Sequence, residues 1–106
     1  MSIRVNLKYD EFKKLRESFK EALNIMKGRV SPRYLEGFIY SLLSTLRSND
    51  QSRFFHYLLT FLNTFENKEV SEFARELLRC LPMSESDFQK IGYMVVIGLM
   101  SIKGGE

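Results

Sequence analysis

A row of cationic side chains near the start of the chain has the residue types and spacing to bind phosphate. At about 100° per residue, Lys13, Arg16, Lys20 and Lys27 fall within roughly 80° of arc on one helix, and acidic residues occupy a neighbouring strip. Cations in a row match the regular spacing of phosphates along a nucleic-acid strand, and their binding gains free energy from released counterions. This lysine–arginine row predicts a contact with a nucleic-acid backbone. The alternative is a solvated helix face with i,i+4 ion pairs such as Lys13–Glu17.

A second polar row extends the same chemistry. Arg29 lies in the loop after the first helix, and Arg33, Tyr40 and Arg47 recur every seven residues on one polar face of the next helix. Two guanidinium groups can bind phosphates, while the tyrosine ring between them offers a surface on which a base can stack. Glycine and serine residues share the face of this Arg–Tyr–Arg row. The alternative is therefore that the face packs against another helix or subunit, with Tyr40 filling a gap.

The segment IGYMVVIGLMSI, at residues 91–102, is apolar on two sides of a helix. One stripe, expected to enter the core, comprises Phe88, Ile91, Val95, Leu99 and Ile102. The other, here called the α5 stripe, comprises Tyr93, Ile97 and Met100. The α5 stripe predicts contact with a partner or with a second copy of the chain; the alternative is that this helix is the buried axis of the domain. Gly92 and Gly98 cost roughly 1 kcal/mol each in a helix, which close approach of a neighbouring helix or ordinary core packing would explain.

The elements that must position these side chains are helices, because apolar residues recur with a period of 3.6 almost throughout. The predicted helices cover about residues 8–27, 32–47, 52–65, 69–81 and 85–102. Gly28, Ser31-Pro32 and Pro82 mark helix ends and starts. The third helix is apolar over most of its circumference and is expected to be central. Residues 2–5 look strand-like, but one short strand cannot form a sheet. The sequence therefore predicts an all-α bundle of five helices.

Length and composition limit the classes of function. A chain of 106 residues and 12.5 kDa forms one domain, and its 44% hydrophobic and 27% charged residues are typical of a soluble globular protein. The single cysteine, Cys80, excludes an intrachain disulfide and a cysteine-cluster zinc site, and the single His56 excludes sites built on several imidazoles. No apolar run reaches the ~20 residues of a membrane span, and the N-terminus lacks the apolar core of a secretory signal. We expect a cytoplasmic protein without a membrane partner.

The net charge of +3 is concentrated in the first part of the chain. Residues 1–50 contain ten basic and six acidic residues, whereas residues 51–106 contain six basic and seven acidic ones. Charge asymmetry of this kind bears on the binding of polyanions rather than on the fold. It therefore agrees with the two cationic rows, which lie in the basic half.

The remaining reactive side chains do not predict catalysis. His56 lies among polar residues without a second imidazole, and Glu72 and Glu76 alternate with arginines as in a solvated ion-pair face. Arg79 beside Cys80 would favour the thiolate slightly, yet a half-buried structural cysteine is the stronger interpretation. The phosphate-loop, nucleophile-elbow and zinc-protease motifs do not occur. We therefore expect no enzyme, no metal site and no cofactor.

Two segments carry a resemblance to a known family: FFHYLLTFLN at 54–63 and DFQKIGYMVVIGLMSI at 87–102. In its size and in the residue pattern of these two segments, the chain resembles the small helical subunit of multi-subunit CRISPR effector complexes, particularly the archaeal type I-A small subunit. The resemblance implies a non-catalytic subunit of a Cascade-like antiviral ribonucleoprotein. Such a subunit would stack into a short filament and hold guide RNA–target DNA or the displaced DNA strand. The implied nucleic-acid residues are Lys13, Arg16, Lys20, Lys27, Arg29, Arg33 and Arg47.

Two hypotheses of different class follow. The first is a subunit that binds single-stranded or hybrid nucleic acid through its backbone and contacts neighbouring subunits. The second is a protein-interaction adaptor or homo-oligomeric scaffold that uses the α5 stripe and binds no nucleic acid; a filament subunit would need both surfaces. A helix-turn-helix repressor is a weaker third hypothesis, because the third helix is mostly apolar where a recognition helix exposes base-reading side chains.

Overall fold

A computed structural model describes residues 6–104 as five α-helices joined by short loops, with no strand among the described residues. The helices are α1 (Tyr9–Met26), α2 (Pro32–Arg47), α3 (Gln51–Asn63), α4 (Lys68–Arg79) and α5 (Glu85–Gly104). The predicted all-α bundle is confirmed, and every helix begins and ends within two residues of its predicted bounds. The strand-like residues 2–5 lie outside the described part of the chain.

Side-chain caps explain why the helix starts were readable from the sequence. Ser31, Asp50, Asn67 and Ser84 each accept a hydrogen bond, 3.0–3.1 Å long, from the backbone N–H three residues later. Such caps satisfy amides that have no partner within the helix. At the end of α1, Gly28 adopts a positive φ of 80°, a conformation that a glycine takes without steric cost.

The five helices pack as a closed ring in the order α1, α4, α3, α2, α5, with α5 returning to α1. The largest contacts join α1 to α4 and α2 to α5. The interior is filled by fully buried side chains that come from every helix. The largest of these are Phe54, Phe73, Phe88, Leu15, Met26, Leu35, Leu42, Leu46, Leu58, Leu62, Leu77 and Ile91.

Two positional expectations from the sequence are wrong. α3 is not central: it packs between α2 and α4 and exposes Arg53, His56 and Thr60. Leu78, expected to face inward with the apolar stripe of α4, is 56% exposed. The reason is angular, because that stripe is completed by the buried Leu77, and the next residue lies about 100° further round the helix.

Polar side chains fix the segments that precede α5 and α1. The amide of Gln51 donates to the carbonyl oxygen of Met83 (3.0 Å) and accepts from its backbone N–H (2.7 Å), so it fixes the loop that precedes α5. The buried carboxylate of Asp87 accepts a hydrogen bond from the backbone N–H of Leu7 (2.7 Å) and so holds the segment before α1 against α5. Within residues 6–104, no helix combines the length and apolarity needed to cross a bilayer.

Candidate nucleic-acid interface

The lysine–arginine row lies on the side of α1 that borders α5. Phe12 and Leu23 mark this side: the Lys90 ammonium lies 4.9 Å from the centre of the Phe12 ring, and Leu23 approaches Gly98. The opposite side of α1 faces α4, where the Lys14 ammonium lies 3.5 Å from the Glu76 carboxylate. All four side chains of the row are exposed. The row therefore borders α5, and the acidic Glu21 of α1 lines a shallow groove against α4.

The Arg–Tyr–Arg row lies on the half of the outer face of α2 that is closest to α5. Arg33 and Arg47 are exposed, and the Tyr40 side chain is 68% exposed. Tyr40 and Met100 of α5 line one shallow groove of about 170 Å³ between the two helices. The small residues of α2 lie on the other half: Ser41 lines a cleft against α3. No helix of the described residues covers the Arg–Tyr–Arg row, so the packing alternative is not met within the described chain.

The α5 stripe faces outward between α1 and α2. Tyr93, Ile97 and Met100 are 44%, 64% and 50% exposed, so α5 is a wall of the bundle and not its buried axis. Gly98 faces Phe19 and Leu23 of α1, whereas Gly92 faces Leu46 of α2. The two glycines thus accept one neighbouring helix each, and the stripe occupies the arc left open between them.

The predicted residues therefore share one surface, which we call the α1–α5–α2 face. Its members are Lys13, Arg16, Lys20, Lys27, Arg29, Arg33, Tyr40, Arg47, Tyr93, Ile97 and Met100. α1 runs parallel to α5, because Phe12 lies beside Lys90 and Leu23 beside Gly98. α2 runs antiparallel to α5, because the Gln89 amide reaches the Leu46 carbonyl oxygen (3.1 Å) near one end and Met100 lies beside Tyr40 near the other. The α1–α2 loop with Arg29 therefore joins the two cationic rows at the end where α5 finishes.

The seven cations of this face form no ion pairs within the described residues, although the exposed Glu36 carboxylate lines the same groove as Tyr40 and Met100. None of Lys13, Arg16, Lys20, Lys27, Arg29, Arg33 and Arg47 has a carboxylate oxygen of the described residues within 4.0 Å. The ion pairs of residues 6–104 lie elsewhere, at Lys14–Glu76, Arg53–Asp50, Arg75–Glu72 and Arg79–Glu76. The Lys13–Glu17 pair expected of a solvated helix face is absent from the structure. The free energy of pairing these charges thus remains available to an anionic ligand.

The structure adds three residues to the face that sequence reasoning missed. Tyr9 is the first residue of α1, is 77% exposed, and lies on the same side of the helix as the lysine–arginine row. Lys90 lies over the Phe12 ring, and Lys103 lines the groove of Tyr40 and Met100. Their helical positions could be read from the sequence, but assigning them to this face required knowing that α5 lies between α1 and α2.

The other candidate residues form no assembled reactive site. His56 is exposed and lines an open, mostly apolar groove of about 670 Å³ between α3 and the end of α4. Burial raises the pKa of the Cys80 thiol, and the carboxylates of Glu11, Glu76 and Asp87 act in the same direction. The half-buried position expected for Cys80 is confirmed, and the slight effect of Arg79 toward the thiolate is outweighed, since its guanidinium already binds Glu76 (2.7 Å).

The acidic residues of α4 differ in their surroundings. Glu72 is exposed and paired with Arg75 (3.1 Å), whose hydrogen bond and charge lower the pKa of the carboxyl. Glu76 is buried, because it lies against α1, where it meets Lys14 as well as Arg79. The expectation of a solvated ion-pair face thus holds for Glu72 and is wrong for Glu76. No group of three or more His, Cys, Asp or Glu side chains within residues 6–104 is placed to hold a metal ion.

No protein-family model matches the chain, and no curated protein or solved structure is significantly similar to it. The resemblance to small CRISPR subunits accordingly remains a prediction.

Proposed function

We propose that this chain is a non-catalytic subunit that binds the backbone of a nucleic acid through its α1–α5–α2 face. The observation that carries the proposal is the presence of seven exposed basic residues, in two rows and the loop between them, without carboxylate partners. Ammonium and guanidinium groups bind phosphate oxygens without reading the bases. The proposed contact is therefore independent of sequence.

The dimensions of the two rows suit a stretch of backbone. The lysine–arginine row covers fifteen residues from Lys13 to Lys27, and the Arg–Tyr–Arg row covers fifteen from Arg33 to Arg47, so each row has fourteen rises along its axis. At 1.5 Å of rise per residue, each row is about 21 Å long. At the spacing of a duplex strand, one phosphate per about 3.4 Å of axis, each row extends along about six phosphates, and an extended single strand places fewer phosphates along it. Four to seven simultaneous contacts would give binding a steep dependence on salt.

Charge reversal tests the proposal with a control of equal net charge. The test variant carries Lys13→Glu, Arg16→Glu and Lys20→Glu, and the control carries Arg53→Glu, Lys68→Glu and Arg75→Glu, all on exposed positions outside the face. Affinity for a labelled 20-nucleotide single strand is measured by fluorescence anisotropy between 50 and 300 mM salt. Each single-strand phosphate contact contributes about 0.7 to the slope of log affinity against log salt. We expect the test variant to lose about 2 from that slope and the control to lose much less. Equal losses in both variants would refute the proposal.

The complex in which the subunit acts is a separate part of the proposal. The resemblance of residues 54–63 and 87–102 to small CRISPR subunits supports a place in a Cascade-like antiviral ribonucleoprotein, beside larger subunits and guide RNA. Affinity purification from the native host, with sequencing of the RNA and mass spectrometry of the proteins, tests this part. CRISPR RNA and other effector subunits are the expected companions. Their absence would remove the complex from the proposal and leave backbone binding to be judged by the charge-reversal experiment.

The alternative function, an adaptor or homo-oligomeric scaffold without nucleic-acid binding, is favoured by one observation. The α5 stripe exposes three large side chains side by side, and exposed apolar patches often mark protein interfaces. The same charge-reversal series separates the two functions. A scaffold would keep its partners in the test variant and would show no binding to the single strand in the native protein.

A further inference from the structure

The tyrosines of this chain are not distributed evenly over its surface. Of the five, Tyr9, Tyr40 and Tyr93 belong to the α1–α5–α2 face, one on each of its three helices. Their side chains are 77%, 68% and 44% exposed, and none of the three pairs with another aromatic ring within the described residues. The other two, Tyr34 and Tyr57, have ring neighbours in the chain itself. The tyrosines that have no aromatic neighbour therefore lie on the same face as the basic residues that form no ion pair.

We infer that these three tyrosines, with Ile97 and Met100, form a platform on which the bases of a single strand stack while a cationic row beside the platform holds its phosphates. This inference rests on the proposed function and names the form of nucleic acid that the face selects. Aromatic rings bind bases of any sequence through their π-faces, and a positively charged groove beside them follows the backbone. The methionine thioether adds a polarisable surface next to Tyr40 in their shared groove.

The order of the strips across the face is what favours a single strand. Neighbouring helix axes lie about 8–10 Å apart, so the apolar strip on α5 is one helix spacing from the cations on either side. A single strand carries phosphates along one edge and exposed bases along the other, so a strand whose phosphates lie on one cationic row would place its bases over the α5 stripe. A duplex turns its phosphates outward and keeps its bases paired inside. It would set phosphates or water against the α5 stripe and leave the tyrosines without a partner.

A second copy of the chain suits this face less well than a polyanion. A copy seated on the α5 stripe by a two-fold axis would bring its own cationic rows against Lys13, Arg16 and Arg47, because the same patch meets itself in such an interface. Like charges opposed in this way weaken association. Charge complementarity thus assigns the stripe to a ligand that is both anionic and aromatic, which describes unpaired nucleotides.

The experiment compares three probes of equal length on the native chain: a 20-nucleotide thymidine strand, a 20-mer of abasic sites that keeps the phosphates without bases, and a 20-base-pair duplex. We expect the thymidine strand to bind at least tenfold more tightly than the other two at one salt concentration. The chain has no tryptophan, so its fluorescence comes from its five tyrosines, three of which belong to the platform. The thymidine strand should quench that fluorescence, and the abasic strand should not.

Variants then locate the platform. Replacing Tyr9, Tyr40 and Tyr93 by leucine should abolish the preference for thymidine over the abasic strand by weakening thymidine binding much more than abasic binding, while replacing them by phenylalanine should keep the preference. Tyr57→Leu is the matched control on α3. If the native chain binds the abasic strand or the duplex as tightly as the thymidine strand, the inference is wrong and backbone binding stands. If it binds none of the probes, both the proposed function and this inference are wrong.

Discussion

Gly98 lies against the aromatic ring of Phe19, so close that a β-carbon on the glycine would come within 2.7 Å of the Phe19 Cζ atom. The methyl group of Leu23 would lie 2.9 Å from the same β-carbon. Real β-carbons do not approach other heavy atoms this closely, so α5 can pack at this distance from α1 only because residue 98 has no side chain. This contact sets the spacing between the lysine–arginine row and the α5 stripe.

Adding a methyl group at Gly98 should therefore destabilise the bundle. For Gly98→Ala we expect the free energy of unfolding to fall by about 1–3 kcal/mol, because overpacking against a core ring outweighs the gain in helix propensity. Urea denaturation followed by circular dichroism measures the change. Gly37→Ala is the control, since nothing lies within 4 Å of a β-carbon at that exposed position of α2, and it should raise stability by up to about 1 kcal/mol. Equal effects at the two positions would contradict the packing described for α5.

Glu76 should contribute more to stability than Glu72, although both pair with an arginine of α4. The Glu76 carboxylate is buried and bound by Arg79 (2.7 Å) and by Lys14 of α1 (3.5 Å). Glu76→Gln replaces the charge-assisted hydrogen bond of a buried carboxylate by a weaker neutral one, and we expect a loss of about 1–3 kcal/mol, although the two cations themselves are exposed. Glu72→Gln removes a pair exposed to solvent and should change stability by less than about 1 kcal/mol. Thermal and urea unfolding of the two variants test the order. A larger loss from Glu72→Gln would contradict it.

The fold was predictable because its determinants are local. Capping residues such as Ser31 and Asn67 stand directly before their helices, and the 3.6-residue period continues to the end of each element. The composition of the face was predictable only in part. The lysine–arginine row and the α5 stripe each follow from the period of a single helix. That they border one another, and that Lys90 joins them, follows from which helices contact α5, and this information is spread over the whole chain.

The expectations that the structure contradicts also concern contacts between helices, which the sequence does not show. The exposure of Leu78 depends on how α4 is rotated against its neighbours, and the surroundings of Glu76 depend on α1, more than fifty residues earlier in the sequence. The half-buried Cys80 was expected, but the direction of its pKa shift also depends on Glu11 of α1, which the adjacent Arg79 does not reveal. Where a side chain contacts another helix, its exposure and surroundings could not be predicted from the residues next to it in the sequence.

Cys80 should react slowly with alkylating reagents at neutral pH. Its pKa is raised above the ordinary value of 9.0 by burial and by nearby carboxylates, and only the thiolate is nucleophilic. We expect iodoacetamide to modify the folded chain more slowly than the urea-unfolded chain at pH 8, with a rate that rises beyond pH 9. A folded-state rate at or above the unfolded rate would contradict a raised pKa.

The same shift makes a small part of the stability dependent on pH. A thiol whose pKa is higher in the folded state keeps its proton where the unfolded chain begins to lose it. The folded state therefore retains this contribution below pH 9 and loses it as the pH rises through the folded-state pKa. Cys80→Ser should remove the cysteine-linked part of any decline in stability between pH 8 and 10. Urea denaturation at a series of pH values in the two proteins measures the difference.

The cationic rows should keep the free chain monomeric at low salt in spite of the exposed α5 stripe. Two copies that met through Tyr93, Ile97 and Met100 would oppose their arginines and lysines, and this repulsion is screened as ionic strength rises. Light scattering after gel filtration should therefore give a monomer at 50 mM salt, with self-association appearing only toward 1 M. Ile97→Lys should abolish the association at high salt because it places a charge in the middle of the apolar contact. A dimer that is present at 50 mM salt and dissociates as salt is added would mean that carboxylates of one copy meet the cations of the other, and it would favour the scaffold over the nucleic-acid subunit.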